Sequence, residues 1–370
     1  MRVLITGAQG FIGKNLTVRL GELEGFETSL FGRDQQTNAL NDLVASADAI
    51  VHLAGENRPQ DEAAFNAINA QLTQALCDAV RASARALPIL FSSSIQAQCD
   101  NPYGRSKRAG EAAIEALAAE TGNPATIYRL PNVFGKWCRP NYNSAVATFC
   151  HNIVHGLPIR IDNRKAEMRL VYIDDVVTEF IAALSRRHKG MIWGTVNPEH
   201  HTTVGELADQ IQAFADSPKT LVTERVGAGL TRALYATYVS HLPTSRFSYE
   251  VPKYSDARGV FVEMLKTPDA GQFSFFTAHP GITRGGHYHH TKTEKFLVIK
   301  GEARFRFRHI LTDERFELFT TGEMPTIVET IPGWSHDITN VGSDEMAVML
   351  WANEIFDRQK PDTIASGVFE

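Results

Sequence analysis

Arg2-Val3-Leu4-Ile5-Thr6-Gly7-Ala8-Gln9-Gly10-Phe11-Ile12-Gly13 is the stretch on which the fold turns. Four residues of β-type, a glycine triplet and then a helical pattern follow one another without a spacer. The first glycine suits a tight strand-to-helix turn, the second lets backbone approach a pyrophosphate, and the third permits close helix–sheet packing. The helix N-terminus behind them offers free N–H groups to phosphate oxygens. Thr6, Gly7, Gly10, Phe11, Ile12 and Gly13 are therefore candidate cofactor-binding residues. Working outward, Glu27–Phe31, Asp48–Leu53, Pro88–Ser93 and Ala125–Arg129 read as further buried strands. Between them Ala63–Arg85 and Ser106–Glu120 have helical period. Strands alternating with helices predict an α/β, Rossmann-type doubly wound parallel sheet.

Composition agrees. With 370 residues, 43% hydrophobic and 21% charged, the chain has ample core and a length prior of two to three domains. A formal net charge of -5 gives no electrostatic reason to expect nucleic acid or an anionic membrane as partner. There is no run of 18 apolar residues to span a bilayer. The first residues lack the basic flank and apolar core of a secretory signal. The four cysteines (Cys77, Cys99, Cys138 and Cys150) are scattered without metal or disulfide spacing, so a reducing, cytoplasmic setting is expected.

The end of the second strand reads the adenosine ribose, where an acid accepts from a 2′-hydroxyl and an arginine favours a 2′-phosphate. Phe31-Gly32-Arg33-Asp34 places Arg33 first and predicts NADPH over NADH, with Asp34 as the competing ribose acceptor. Tyr103-Gly-Arg-Ser-Lys107 leads into a helix and puts phenol and ammonium on one face. A lysine beside a phenol lowers its pKa, which suits Tyr103 to proton donation toward a carbonyl. Ser92-Ser93-Ser94 closes the fourth strand and supplies a hydroxyl to the same oxygen. The YxxxK spacing alone is common by chance. Joined to the glycine turn, His52-Leu53-Ala54-Gly55 and the triple serine, it is specific.

These residues resemble the extended short-chain dehydrogenase/reductase family over about residues 1–240, with Asn69 and Arg129-Leu-Pro-Asn132-Val-Phe-Gly135 continuing the pattern in order. The resemblance implies an enzyme acting on nucleotide sugars. Ser94 would assist and Tyr103 would be the acid. Lys107 would bind the cofactor ribose and tune Tyr103, Leu53, Ala54 and Gly55 would line the cofactor, and Asn132 would face the nucleotide sugar. Ser94 and Tyr103 stand nine residues apart where the family has a longer loop, which leaves Ser93 open as the acting serine. Arg169, before Tyr172-Ile-Asp-Asp175, is either a diphosphate ligand or a surface charge.

After about residue 245 the texture changes to period-two alternation, as in Arg304-Phe305-Arg306-Phe307-Arg308, which predicts an antiparallel all-β barrel. His241–Pro252 is the expected junction, giving domains 1–245 and 252–370. His287, His289, Glu294 and His336 have residue types that suit a first-row divalent metal, zinc first. Residues 287 and 289 share one strand face, and His290 points the other way unless a bulge exchanges it with His289. The pattern resembles the cupin superfamily over residues 250–370. A metal with an open position would acidify the C–H beside a ketone, with Tyr288, Lys292 or Lys295 as the candidate base.

Reductase first and cupin second, together with Pro140-Asn-Tyr-Asn-Ser144 and the tail Asn353-Glu-Ile-Phe-Asp357, resembles the bifunctional enzymes of UDP-N-acetyl-L-fucosamine synthesis in capsule and O-antigen assembly. The resemblance implies C3 epimerisation of UDP-2-acetamido-2,6-dideoxy-β-L-arabino-hex-4-ulose in the cupin, then C4 reduction with NADPH. A homodimer is expected. The alternative is a single-site epimerase or dehydratase with recycled cofactor and a purely structural cupin.

Overall fold

Val3, Leu4 and Ile5 have no solvent exposure. Such an unbroken apolar run belongs to a strand covered on both faces, as the strands of a parallel sheet are. The computed structural model describes residues 1–57, 65–256, 259–262, 265, 267, 271–354 and 359–368. It divides into two compact units, Met1–Ser144 with Glu167–Thr202, and Ala145–Ala166 with Thr203–Glu370.

In the first unit, β1 (Arg2–Thr6), α1 (Phe11–Gly21), β2 (Glu27–Phe31), α2 (Ala39–Ser46), β3 (Ala49–His52), α3 (Leu72–Ser83), β4 (Ile89–Ser94), α4 (Pro102–Thr121) and β5 (Ala125–Leu130) follow the expected alternation. Short β6 (Asn132–Phe134) comes next, then α5 (Ala145–Val154) of the second unit. β7 (Glu167–Tyr172), α6 (Ile173–Leu184), β8 (Met191–Gly194) and β9 (His200–Thr203) complete this part. Six strands form one sheet in the order β2-β1-β3-β4-β5-β8, every pair parallel. The chain leaves β1 to one side for β2 and returns on the other for β3. That reversal opens a crevice at the carboxyl ends of β1 and β3, where ligands of such sheets bind. Leu4, Phe31, Ile50, Leu76, Phe91, Ile114 and Ile127 meet in the core beneath, each worth about 1.5–3 kcal/mol in buried apolar area.

Two helices differ from expectation. The segment expected as Ala63–Arg85 is a π-helical turn, Asn66–Gln71, followed by α3, and its residues 63 and 64 lie outside the described residues. α4 starts four residues before the expected Ser106. Asn101 accepts from Gly104 N at 2.8 Å and Pro102 occupies the first helical position, a favoured start because proline has no N–H to leave unpaired. Tyr103 thus lies in the first turn and Lys107 one turn later.

The second unit holds α5, α7 (Val204–Thr220) and α8 (Gly229–Val239), then β10 (Ser248–Glu250) and a backbone hairpin of β11 (Lys253–Asp256) and β12 (Gly259–Val262). The remaining strands are β13 (Gln272–Ala278), β14 (Thr283–Tyr288), β15 (Glu294–Lys300), β16 (Glu302–His309), β17 (Arg315–Thr321), β18 (Thr326–Glu329), β19 (Trp334–Asn340), β20 (Met346–Ala352) and β21 (Ile364–Ala365). They make two antiparallel sheets, β10-β18-β15-β20-β13 and β17-β16-β19-β14-β21. In β16 the alternation holds: Phe305 and Phe307 are buried between partly exposed arginines. Phe296 of one sheet meets Phe305 of the other with ring centres 5.7 Å apart. The expected junction already contains barrel structure, because β10 pairs with β18. Of the tail Asn353–Asp357, residues 355–357 lie outside the described residues.

Candidate active site and metal centre

Gly7 has φ +69°, and a side chain there would place Cβ 2.7 Å from Ala54 N. A Cβ on Gly13 would meet Gly7 O at 2.4 Å. The turn is therefore closed to any larger residue at both positions. Thr6 Oγ1 accepts from Leu53 N and Ala54 N, each at 3.2 Å, and bonds His52 Nδ1 at 2.6 Å. His52 Nε2 reaches Thr73 Oγ1 at 2.8 Å. Burial, then the Lys107 charge, hold the imidazole down to about 3, so it is a neutral clamp between the ends of β1 and β3. α1 begins without a side-chain cap, leaving its first N–H groups for an anion. Arg33, at the end of β2, donates from Nη2 to Glu56 Oε2 at 2.7 Å.

Ser94 and Tyr103 come together, near enough for the serine hydroxyl to pull the phenol pKa down. Ser93 is engaged elsewhere: its Oγ donates to Glu111 Oε1 at 2.5 Å, and Arg129 grips the same carboxylate at 2.9 and 2.6 Å. Lys107 Nζ donates to Ser92 O at 3.1 Å and lies 6.0 Å from the Tyr103 ring centre. A Cβ on Gly55 would stand 3.0 Å from that Nζ, so glycine there leaves room for the lysine. Asn69, buried, accepts from Glu56 N at 2.7 Å and donates to Ser106 Oγ at 2.9 Å.

The electrostatics differ from the expectation that Lys107 depresses the Tyr103 pKa. Burial pushes the phenol up to about 12, with only the Ser94 hydrogen bond pulling it down. Burial also holds Lys107 down to about 8, against the opposing Glu111 carboxylate. Both groups leave water, and desolvation penalises phenolate and ammonium alike. Tyr103 is thus fully protonated at neutral pH.

On the other side of the crevice Asn132 is exposed on β6 and donates to Arg169 O at 3.2 Å. The Arg169 guanidinium forks onto Glu199 at 2.5 and 2.9 Å. Sequence reading missed Glu199, Glu111 and Glu56, each paired with a residue far along the chain.

In the second unit His287, His289, Glu294 and His336 offer ligand atoms all within 4.8 Å of one another. His290 is outside this cluster, its ring against Tyr288. His289 lies just beyond β14, which ends at Tyr288, and Asp362 fixes the loop. Its carboxylate accepts from the N–H groups of His290, Thr291 and Lys292 at 2.9, 2.7 and 2.8 Å. Its carbonyl bonds His289 Nδ1, which leaves Nε2 for a metal. His336 Nε2 is buried without a hydrogen bond among the described residues and lies 3.5 Å from Glu294 Oε2. Burial and the neighbouring His336 and His289 hold His287 down to about 3, in the neutral lone-pair form. Three imidazoles and a carboxylate, with one buried nitrogen left unsatisfied, fit a first-row divalent cation. Of the candidate bases, Lys292 Nζ lies 2.7 Å from Glu294 Oε1. Lys295 points elsewhere, onto Glu329 and Tyr249.

Residues 3–197 match the NAD dependent epimerase/dehydratase family, and residues 254–364 match the polysaccharide biosynthesis C-terminal domain. The chain belongs to the NAD-dependent epimerase/dehydratase family. A nicotinamide cofactor follows from that membership. Among the chain's relatives, a UDP-2-acetamido-2,6-beta-L-arabino-hexul-4-ose reductase of Pseudomonas aeruginosa is 59% identical over 370 residues, all of both chains. The solved capsular polysaccharide assembling protein CapF of Staphylococcus aureus superposes with a TM-score of 0.68 at 40% identity, again over all of both chains. A UDP-glucuronic acid 4-epimerase of Bacillus cereus, solved with NAD, covers 65% of this chain and 98% of its own. At 17% identity and a TM-score of 0.56, it shows the fold alone. No helix among the described residues is long and apolar enough to cross a membrane.

Proposed function

We propose that this chain is a bifunctional nucleotide-sugar enzyme. Its barrel, residues 252–370, epimerises UDP-2-acetamido-2,6-dideoxy-β-L-arabino-hex-4-ulose at C3. Its reductase part, residues 1–245, then reduces the C4 ketone with NADPH to UDP-2-acetamido-2,6-dideoxy-β-L-talose, the precursor of UDP-N-acetyl-L-fucosamine. The observation that carries the reading is Ser94 acting on the Tyr103 phenol, with Lys107 6.0 Å from its ring centre, on a chain alike from end to end to a reductase of that 4-keto sugar.

Gly7, Gly10 and Gly13 would receive a nicotinamide cofactor, which when bound would supply the hydride. Tyr103, protonated across the neutral range, delivers its proton to the C4 oxygen, and Ser94 donates a hydrogen bond to the same atom. Lys107, largely cationic at neutral pH, steadies the phenolate left behind and holds the cofactor ribose. Arg33 selects the 2′-phosphate, while Asn132 and Arg169 contact the nucleotide. In the barrel His287, His289, Glu294 and His336 would hold a divalent metal, zinc by donor type, which would supply Lewis acidity toward a ketone oxygen. Lys292 stands beside them as the residue that moves the C3 proton. The C3 hydrogen is acidic only while C4 is a ketone, so epimerisation precedes reduction. A homodimer in the cytoplasm completes the proposal.

Tyr103→Phe tests the division of labour. It should abolish NADPH oxidation and leave C3 deuterium exchange intact, and loss of both in a folded protein would refute two separate sites.

A further inference from the structure

Arg33 does not stand as a lone cation at the end of β2. Its Nη2 donates to Glu56 Oε2 at 2.7 Å, and the two side chains differ sharply in freedom, 78% exposed for Arg33 against 11% for Glu56. Glu56 is fixed on several sides. Its Oε1 accepts from the Tyr142 hydroxyl and from Asn57 N at 3.3 Å. Asn69 takes both of its backbone groups, accepting from Glu56 N at 2.7 Å and donating to Glu56 O at 3.1 Å. The carboxylate is an anchored negative charge, and the guanidinium is the exposed partner leaning on it.

We propose that Glu56 is a specificity-determining residue for the nicotinamide cofactor: its carboxylate competes with the 2′-phosphate of NADPH for the Arg33 guanidinium, so the site accepts both NADPH and NADH. The inference rests on the reading of Arg33 as the group that faces the 2′ position. A 2′-phosphate arriving at Arg33 meets a like charge already paired with the guanidinium, and the two anions repel one another. A ribose 2′-hydroxyl meets no such repulsion and can donate to a carboxylate. Arg33 alone would select NADPH strongly, and Glu56 tempers that preference. Residue type at the end of β2 is therefore an incomplete guide to cofactor choice, because the opposing charge comes from the end of β3, 23 residues away.

Glu56→Gln isolates the charge, since the amide oxygen still accepts from Tyr142 and Asn57. Dissociation constants of NADPH and NADH are measured by titration calorimetry on the full-length, metal-loaded chain without sugar. The two cofactors differ only in the 2′-phosphate, so the ratio of Kd for NADH to Kd for NADPH reports that group. The ratio should rise about tenfold over wild type in Glu56→Gln. Glu56→Thr, which removes the charge with a smaller side chain, should move it the same way and guards against a folding defect in one variant. An unchanged or lower ratio in the folded variants overturns the inference. Arg33→Ala separates the two layers. If its ratio falls steeply while that of Glu56→Gln stays flat, the Glu56 inference alone fails. If Arg33→Ala leaves the ratio unchanged, the reading of Arg33 fails and the inference with it.

Discussion

Ser93 Oγ donates to Glu111 Oε1 at 2.5 Å, while its neighbour Ser94 acts on the Tyr103 phenol. Adjacent residues on a strand face opposite ways, so one serine serves the helix beneath the sheet and the other serves the crevice. Ser94→Ala should lower kcat for C4 reduction roughly 10²-fold with little change in KM, as loss of a donor to developing oxygen charge does. Ser93→Ala should keep kcat within a few-fold and cost about 1–3 kcal/mol of stability by stripping a buried carboxylate of one donor. Steady-state kinetics and urea unfolding of both variants check the pair, and the reverse assignment of effects would make Ser93 the acting serine.

Lys107 gives a pH signature. Its ammonium titrates near 8 in the folded chain against an ordinary 10.5. Between those values the unfolded chain binds the extra proton, so stability rises with pH across the window, by on the order of 3 kcal/mol for this group. Lys107→Met should remove that rise. Unfolding free energies of wild type and variant, compared at pH 7.5, 9 and 10, check it, and parallel curves would contradict the burial argument.

Asp362 sets the loop that presents His289. Asp362→Ala removes the acceptor of three backbone N–H groups and should weaken zinc binding about 10- to 100-fold, the range for loss of an outer partner of a metal ligand. Competition with a chromophoric chelator measures this. An unchanged affinity would mean that the loop is held without Asp362.

Metal removal should act on one activity only. Dialysis against a strong chelator should abolish C3 exchange and lower the unfolding temperature of the barrel, because zinc at 100 times its Kd contributes about 2.7 kcal/mol. NADPH-dependent reduction of a ketone already epimerised at C3 should continue within about twofold of the untreated rate. Loss of that second activity would place the metal in the reduction step.

The parts of the fold legible in the sequence are those governed by local pattern. β1 and β3 are short apolar runs and β4 and β5 are largely so, and β16 alternates Arg and Phe, whereas β2 is Glu-Thr-Ser-Leu-Phe with only Phe31 buried. β10 was illegible because Ser248-Tyr249-Glu250 has no period of its own and exists through Thr326–Glu329 on its partner. At the sites, His287, His289, Glu294 and His336 were legible by residue type, and the structure groups those four although His289 lies beyond the end of β14. Glu56, Glu111, Glu199 and Asp362 left no such trace. Each acts through one or more partners outside its own segment, Asp362 about 70 residues from the loop it holds, and pairing at that range depends on the sheet order rather than on neighbours in the chain. The raised Tyr103 pKa was equally hidden, since it comes from burial in the folded chain.

The central claim is that epimerisation in the barrel and reduction over the parallel sheet are separate steps on one chain. Proton NMR of the metal-loaded protein with the 4-keto UDP-sugar in D2O, first without and then with NADPH, tests it most directly. The account predicts deuterium at C3 before any cofactor is added, followed by loss of the C4 ketone once NADPH is present. No exchange until NADPH is added would contradict it, leaving the barrel metal structural and all chemistry with Ser94, Tyr103 and Lys107.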